Sequence, residues 1–302
     1  MIRFLDQLGK GAHVAVVRLR SLGDCVLTTP ALYLLKRFRP DLRVGVVVEP
    51  RFEAVFEESP DVDDILPPSA SLLLRYRPQL CLNLHGGTRS LLLTMASAAR
   101  WRAGFAHYRF SRFYNVLIPR AQEILHVKRK VHTAEHVASA MFHLGVPQDE
   151  IPRARLHARP IHSSTPYAVF HALASSPLKT WPAARFLELA AFVQSRLELE
   201  PLFIGAHGDD LTPFQRFRTQ TLPLQETKSV LAGAALFIGN DSGPAHMAAA
   251  FGIPEVVLFG ASDPVVWAPW KTHAEAIVSS GGMSSITVER VARAAGKLRV
   301  TA

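Results

Sequence analysis

Cysteine is nearly missing from this 302-residue chain, which has only Cys25 and Cys81, far apart and outside any CxxC or Cys/His cluster. That scarcity argues against a disulfide framework or a structural zinc site and leaves reduced, buried thiols as the expectation. Long apolar runs are missing too. No stretch is long enough to span a bilayer, and Met1 to Lys10 lacks the sustained apolar core of a signal peptide, so the chain is expected in the cytoplasm. Two phosphate-binding signatures are also absent. A nicotinamide-dependent oxidoreductase needs G-x-G-x-x-G after its first strand, where this chain reads Arg20-Ser-Leu-Gly-Asp24, and the G-x-x-x-x-G-K-[ST] of a P-loop enzyme does not occur.

What the chain does have is 48% hydrophobic content, enough for two ordinary domains, and a net charge of +9. The surplus charge favours an anionic partner: nucleic acid, an anionic lipid surface or a phosphorylated substrate. The most informative stretch is 235–260. Apolar runs Ala235 to Ile238 and Val256 to Phe259 flank a small-residue segment opened by Pro244 and closed by Gly252 and Pro254, which reads as strand, turn, short helix, strand. In such a unit Asp241, Ser242 and Gly243 stand just beyond the first strand, where free amides and the positive end of the helix dipole favour a phosphate. His246, in the first helical turn, can reach the same anion. Asp, Ser and Gly before a helix are also ordinary capping residues, but capping leaves the histidine unexplained.

A second βαβ unit covers 13–48: a strand from Val14 to Leu19, the loop 20–24, a helical stretch toward Phe38 that Pro30 disturbs, and a strand from Val44 to Val48. Asp24 then lies at the carboxyl end of the first strand, on the side where open α/β sheets place ligands; alone, it would read as a helix N-cap. Arg18 and Arg20 beside it are candidates for binding an anionic acceptor, or else solvated charge.

Together these motifs resemble glycosyltransferase family 9, the lipopolysaccharide heptosyltransferases. The C-terminal match runs through Asp241-Ser-Gly243, His246, Ala248 to Ala250, Gly252, Pro254, Leu258 to Gly260, Ala-Ser-Asp-Pro264 and Trp267-Ala-Pro269. The N-terminal match is Ser21-Leu-Gly-Asp24-x-x-x-Thr-Thr-Pro-Ala-Leu32. The resemblance implies an α/β GT-B fold, two Rossmann-like domains with a ligand cleft between them. It also implies inverting transfer from a nucleotide-diphosphate sugar, most typically ADP-heptose, to a lipopolysaccharide inner-core acceptor. Asp24 takes the place of the catalytic base. Lys179, just before Trp181-Pro182, takes the place of a lysine that contacts the donor diphosphate, in a loop where Ser175 and Ser176 offer hydroxyls. The family's usual His-Pro-Gly or Asn-Pro-Gly opening of that loop is replaced here by His171-Ala172-Leu173. After the strand Pro201 to Gly205, either Asp209 or Asp210 suits the ribose diol, and their spacing does not choose between them or exclude a capped helix start. No metal and no cofactor beyond the nucleotide-sugar co-substrate is required. The implied partners are that donor, a phosphorylated lipid-linked saccharide acceptor, and the anionic inner face of the inner membrane, bound peripherally; no nucleic acid is expected.

Elsewhere, Asp64 to Leu66, Leu80 to Leu84 and Gly104 to Ala106 read as short strands, alternating with helices at Ser69 to Arg77 and Thr88 to Ala99, which implies a parallel sheet. His85-Gly-Gly-Thr-Arg89 is a turn where His85 or Arg89 can meet an acceptor phosphate, or simply a strand-to-helix turn. Trp101 to Lys130 interleaves arginines with aromatic residues, among them Phe110, Phe113 and Tyr114, which suits nucleic acid or a phosphorylated lipid headgroup. His132-Thr-Ala-Glu-His136 matches the HxxEH of some zinc peptidases; without a third ligand it reads better as a helix N-terminus with Thr133 near the cap. Pro147 to Pro166 reads as a linker. The expected organisation is an acceptor-binding domain at 1–150, a linker at 151–165 and a nucleotide-sugar domain at 166–302, whose last helix, Ile286 to Leu298, packs back on the first domain. The alternatives are a family 9 transferase that uses another nucleotide sugar, and a non-catalytic nucleotide or nucleic-acid binder served by the stretch 101–130.

Overall fold

The computed structural model describes residues 4–300 and divides into two compact units, Met1–Pro152 and Arg153–Ala302. In the first, β1 (His13–Val17) leads through α1 (Leu22–Val26) and α2 (Thr29–Phe38) to β2 (Arg43–Val47). Then come β3 (Asp64–Leu66), α3 (Ala70–Tyr76), β4 (Leu80–Asn83), α4 (Thr88–Ala96), β5 (Trp101–Phe105), β6 (Val116–Ile118), α5 (Ala121–Ile124) and α6 (Thr133–Leu144). The second unit runs β7 (Tyr167–His171), α7 (Ala183–Arg196), β8 (Glu200–Gly205), β9 (Arg218–Thr221), α8 (Leu224–Ala232) and β10 (Leu236–Asn240). It ends with α9 (Gly243–Phe251), β11 (Glu255–Phe259), α10 (Pro264–Trp267), β12 (Ala274–Val278) and α11 (Val288–Val300).

Each unit holds one six-stranded parallel sheet, ordered β3-β2-β1-β4-β5-β6 and β12-β11-β10-β7-β8-β9. Read from opposite edges the two orders are the same. These are two Rossmann-type sheets, as the GT-B reading requires. β4, β10 and β11 are buried along their whole length, which is why their sequences run apolar without alternation: helices cover both faces. In each sheet the order reverses between the first and fourth strands, β1 beside β4 and β7 beside β10. That reversal opens a crevice at the carboxyl edge. In the first unit the loops 18–24 and 84–88 end at that edge and in the second 172–182 and 241–243, and they carry most of the residues singled out from the sequence; Arg89, Asp209, Asp210 and His246 lie outside them.

Several local expectations change. Pro30 does not disturb one long helix; the chain breaks at Leu27–Thr28 and Pro30 opens α2, where its missing N–H costs nothing. The strands β6, β9 and β12 went unread because they are short and half-exposed, and β9 is the polar run Arg-Thr-Gln-Thr. At the HxxEH segment the cap is His132, one residue before Thr133: its Nδ1 accepts from the Ala134 amide, while Glu135 takes the His132 amide and pairs with Arg129. That commits two of the three motif side chains to capping. Residues 146–166 form neither helix nor strand, yet Ile151, Ala154 and Leu156 are buried. The last helix lays Val291, Ala295 and Leu298 into the core of its own unit with Trp181 and Phe186. Among the described residues no helix is long and apolar enough to cross a membrane, and Cys25 and Cys81 are free and buried, their thiols pushed up to about 12 and about 11 by burial.

Candidate active site

The first unit's loop is built around Asp24. Ser21 caps α1, and the Asp24 carboxylate at the third helical position returns to it, accepting from the Ser21 hydroxyl at 3.0 Å and its amide at 3.4 Å. The other carboxylate oxygen accepts from the Arg18 guanidinium at 3.3 Å. Asp24 is thus held on both oxygens and still keeps 25% of its side chain accessible. Arg18, expected to meet an acceptor, is instead buried, with 6% of its side chain exposed, and is spent on Asp24. Arg20 is exposed.

Arg20, His85, Gly86, Gly87 and Arg89 come together around a cavity of about 250 Å³, with Leu19, Glu49, Thr88 and Ser90 completing the wall. Gly86 and Gly87 have φ of +71° and +90°, which explains the glycine pair, and a Cβ on Gly86 would press on the Tyr108 ring. Arg89 is not a free cation: it pairs with Glu49 at 2.9 Å. His85 is pushed below its ordinary pKa by burial and by the Arg18 charge, so at neutral pH it is a neutral hydrogen-bonding group. His136 stacks on Phe105 at 4.1 Å and is lowered to about 4, by burial first and then by His107 and Arg18. The aromatic stretch is not one surface. Phe105 is buried in β5, and Tyr114, expected to face a lipid, is buried with its hydroxyl accepting from Asn83 at 2.8 Å.

In the second unit Lys179 ends a short 3₁₀ turn capped by Ser176, whose hydroxyl accepts from the Leu178 amide. Its ammonium lies 3.1 Å from Asp241, whose side chain is 9% exposed. Ser242 caps α9, and its hydroxyl shares a 3.1 Å hydrogen bond with His171. Pro244 sits in the first turn and Gly243 starts the helix, so amide donors open at its end beside the lysine. His246 is buried on α9, its ring 6.2 Å from Trp267. Asp263 caps α10 and so places that tryptophan. Gly260 is required by close approach: a Cβ there would overlap the Leu178 carbonyl. The two aspartates after β8 both serve their own loop, Asp209 accepting from the Ala206 amide at 2.7 Å and Asp210 from the Thr212 amide at 2.9 Å. Asp210 is held below the usual carboxylate range by the Thr212 hydroxyl and amide.

Two residues that sequence reading passed over organise these loops. Asn240, fully buried at the end of β10, donates to the Ala172 carbonyl at 2.8 Å and accepts from the Trp181 amide at 3.1 Å, clasping both ends of the lysine loop. Asn83, buried at the end of β4, accepts from the His85 and Gly86 amides and donates to Ser90 and Tyr114. Their signal was a polar amide closing an otherwise apolar strand, Leu-Cys-Leu-Asn83 and Leu-Phe-Ile-Gly-Asn240. Among the described residues no three His, Cys, Asp or Glu side chains cluster as a metal site would need.

Known proteins share this architecture. The model of glycosyltransferase family 9 (heptosyltransferase) matches residues 72–296, which leaves the Asp24 loop outside the match. Lipopolysaccharide heptosyltransferase 3 of Escherichia coli K12 is 25% identical over 288 residues, covering 83% of each chain. The crystal structure of a family 9 glycosyltransferase from Veillonella parvula superposes with a TM-score of 0.85 at 21% identity, over 97% of this chain and 98% of that one. E. coli ADP-heptose LPS heptosyltransferase II gives 0.79 at 19% identity, over 96% and 99%. With the family model spanning well over half its length, the chain belongs to glycosyltransferase family 9, and it is a glycosyltransferase.

Proposed function

We propose that the chain transfers heptose from ADP-heptose to a phosphorylated, lipid-linked inner-core saccharide, with inversion at the anomeric carbon. The observation that carries this reading is Asp24, a carboxylate fixed on both oxygens by Ser21 and Arg18 yet open to solvent at the crevice edge of β1. It takes the proton from the acceptor hydroxyl as that oxygen attacks. Lys179, the amides that open α9, Ser242 and His246 stabilise the diphosphate that departs, and Ser176 holds the lysine's turn. Asp241 keeps Lys179 in place and can accept hydrogen bonds from sugar hydroxyls. Asp209 or Asp210 accepts from the ribose. Arg20 and His85, on the 250 Å³ cavity beside Asp24, bind the acceptor, with Arg89 available when it leaves Glu49. No metal enters this scheme. The donor assignment draws on the relative that acts with ADP-heptose, and the enzyme works in the cytoplasm at the inner face of the membrane.

A thermal-shift panel of ADP-, UDP-, GDP- and CMP-linked sugars tests the donor, because a ligand that binds only the folded state raises the midpoint with its occupancy. The ADP compound should stabilise most, and ADP-heptose should label a de-acylated inner-core acceptor. Stronger stabilisation by another nucleotide overturns the donor assignment.

A further inference from the structure

Helices α3 and α4 lie together on one face of the first sheet, where Leu73 and Leu93 join Val17 and Cys81 in a core cluster. Their outward sides are unusually apolar. Leu72, Leu74, Leu92 and Met95 are between 39 and 63% exposed, and Leu92 and Met95 are three residues apart on one side of α4. Leu74 and Arg75 line an open cavity of about 820 Å³ with Arg77, Ala98 and Arg100, at the amino-terminal edge of the sheet. At its other end α4 starts from Gly87, in the wall of the cavity beside Arg20 and His85. The outward side of α4 therefore runs from the edge that bears the Asp24 loop to the opposite edge.

Charge identifies what this face meets. From Ile65 to Gln122 the sequence has eight arginines and not one aspartate or glutamate. We propose that the α3–α4 face docks on an anionic membrane, with Leu74, Leu92 and Met95 entering the boundary between headgroups and acyl chains and Arg75, Arg77 and Arg100 on lipid phosphates. A second copy of the chain would set arginines against arginines. A nucleic acid would leave the leucines and the methionine in water, since none of them stacks on a base. The proposal extends the lipid-linked acceptor reading and rests on it in one respect: α4 leads from the bilayer to the Asp24 side, so a saccharide anchored in the membrane arrives there headgroup first.

The test is co-sedimentation of the full chain with phosphatidylcholine vesicles, with and without phosphatidylglycerol, across a salt series. The chain should sediment with the anionic vesicles only, and less as salt rises. Arg75→Gln with Arg100→Gln should lower partition roughly twenty- to thirtyfold. Leu74→Ser with Leu92→Ser should lower it roughly tenfold while keeping the salt dependence. Both pairs are exposed, so unfolding midpoints and ADP-induced stabilisation should match the wild type; if the leucine pair alone misfolds, the arginine pair decides. Wild-type sedimentation of the arginine pair overturns the proposal, and so does equal binding to neutral vesicles. It is also overturned if the leucine pair instead dissolves a dimer, or if the arginine pair affects only polynucleotide binding. If docking behaves as stated while de-acylated and membrane-borne saccharides are both refused, the docking face stands and the acceptor reading falls.

Discussion

Asn240 offers the sharpest test of how the donor loop is held. Its side chain reaches both ends of the segment 172–181, which carries Lys179, and all its bonding there is buried. Asn240→Leu keeps the number and branching of side-chain heavy atoms but orphans the Ala172 carbonyl and the Trp181 amide. An unsatisfied buried group costs about 1–3 kcal/mol, so the loss is about 4 kcal/mol, within a range of about 2–6. For a unit of this size that lowers the midpoint of thermal unfolding by roughly 10 °C. Asn240→Ala leaves room for a water to bridge the two groups and should fall at the lower end of the range. Differential scanning calorimetry gives the midpoint, and amide exchange reports the Trp181 N–H directly. Because the loop is released at both ends, affinity for ADP should fall roughly tenfold if about 1.4 kcal/mol of the loss is borne by binding. A midpoint within about 2 °C of wild type, with Trp181 exchange unchanged, would show that the clasp contributes nothing.

Asp24→Asn should leave ADP affinity nearly intact and lower kcat roughly 10²-fold or more; an equal loss of ADP affinity in calorimetric titration would make Asp24 a purely structural cap. Lys179→Ala and His246→Ala should each weaken ADP while leaving adenosine nearly unchanged, and parallel weakening of both ligands would remove the phosphate assignment. His136 and His171 are held neutral by burial, each lowered to about 4 from 6.5. Their contribution to stability is complete above pH about 6.5 and is lost as the pH falls toward about 4, since only the unfolded chain takes up protons in that window. The unfolding midpoint should drop across it, and His136→Phe should flatten part of the drop; an unchanged slope would mean that His136 is already charged in the fold.

The sequence was legible where one physical demand fixed it. Buried parallel strands such as Val-Val-Leu-Phe259 read directly as apolar runs, and Pro244 with Gly252 bracketed α9 because each answers a backbone requirement at a helix end. The half-exposed edge strands were not legible, since β9 buries too little to need a pattern. Side-chain partnerships were the least legible. Nothing in the spacing of Arg18 and Arg20 says that the turn after β1 buries the first against Asp24 and leaves the second in solvent. Likewise, Arg89 looked like a free cation until folding brought Glu49, forty residues earlier, within 2.9 Å. Asn83 and Asn240 were visible as letters, but their role depends on loop ends that meet them only in three dimensions.

The acid-free stretch from Ile65 to Gln122 also bears on how quickly the enzyme finds its place. Its eight arginines stand in a first unit that has 20 lysines and arginines against 14 carboxylates, while the second unit has 14 against 11, so two thirds of the net charge of +9 belongs to the first unit. A body charged so unevenly is turned by a negatively charged surface before it touches it. Collisions are then biased toward one orientation, which raises the rate of productive encounter rather than the lifetime of the contact. The advantage shrinks once ions screen the field within about 10 Å, so added salt should slow arrival far more than it hastens departure. An electrically lopsided enzyme thus spends little of its search facing the wrong way.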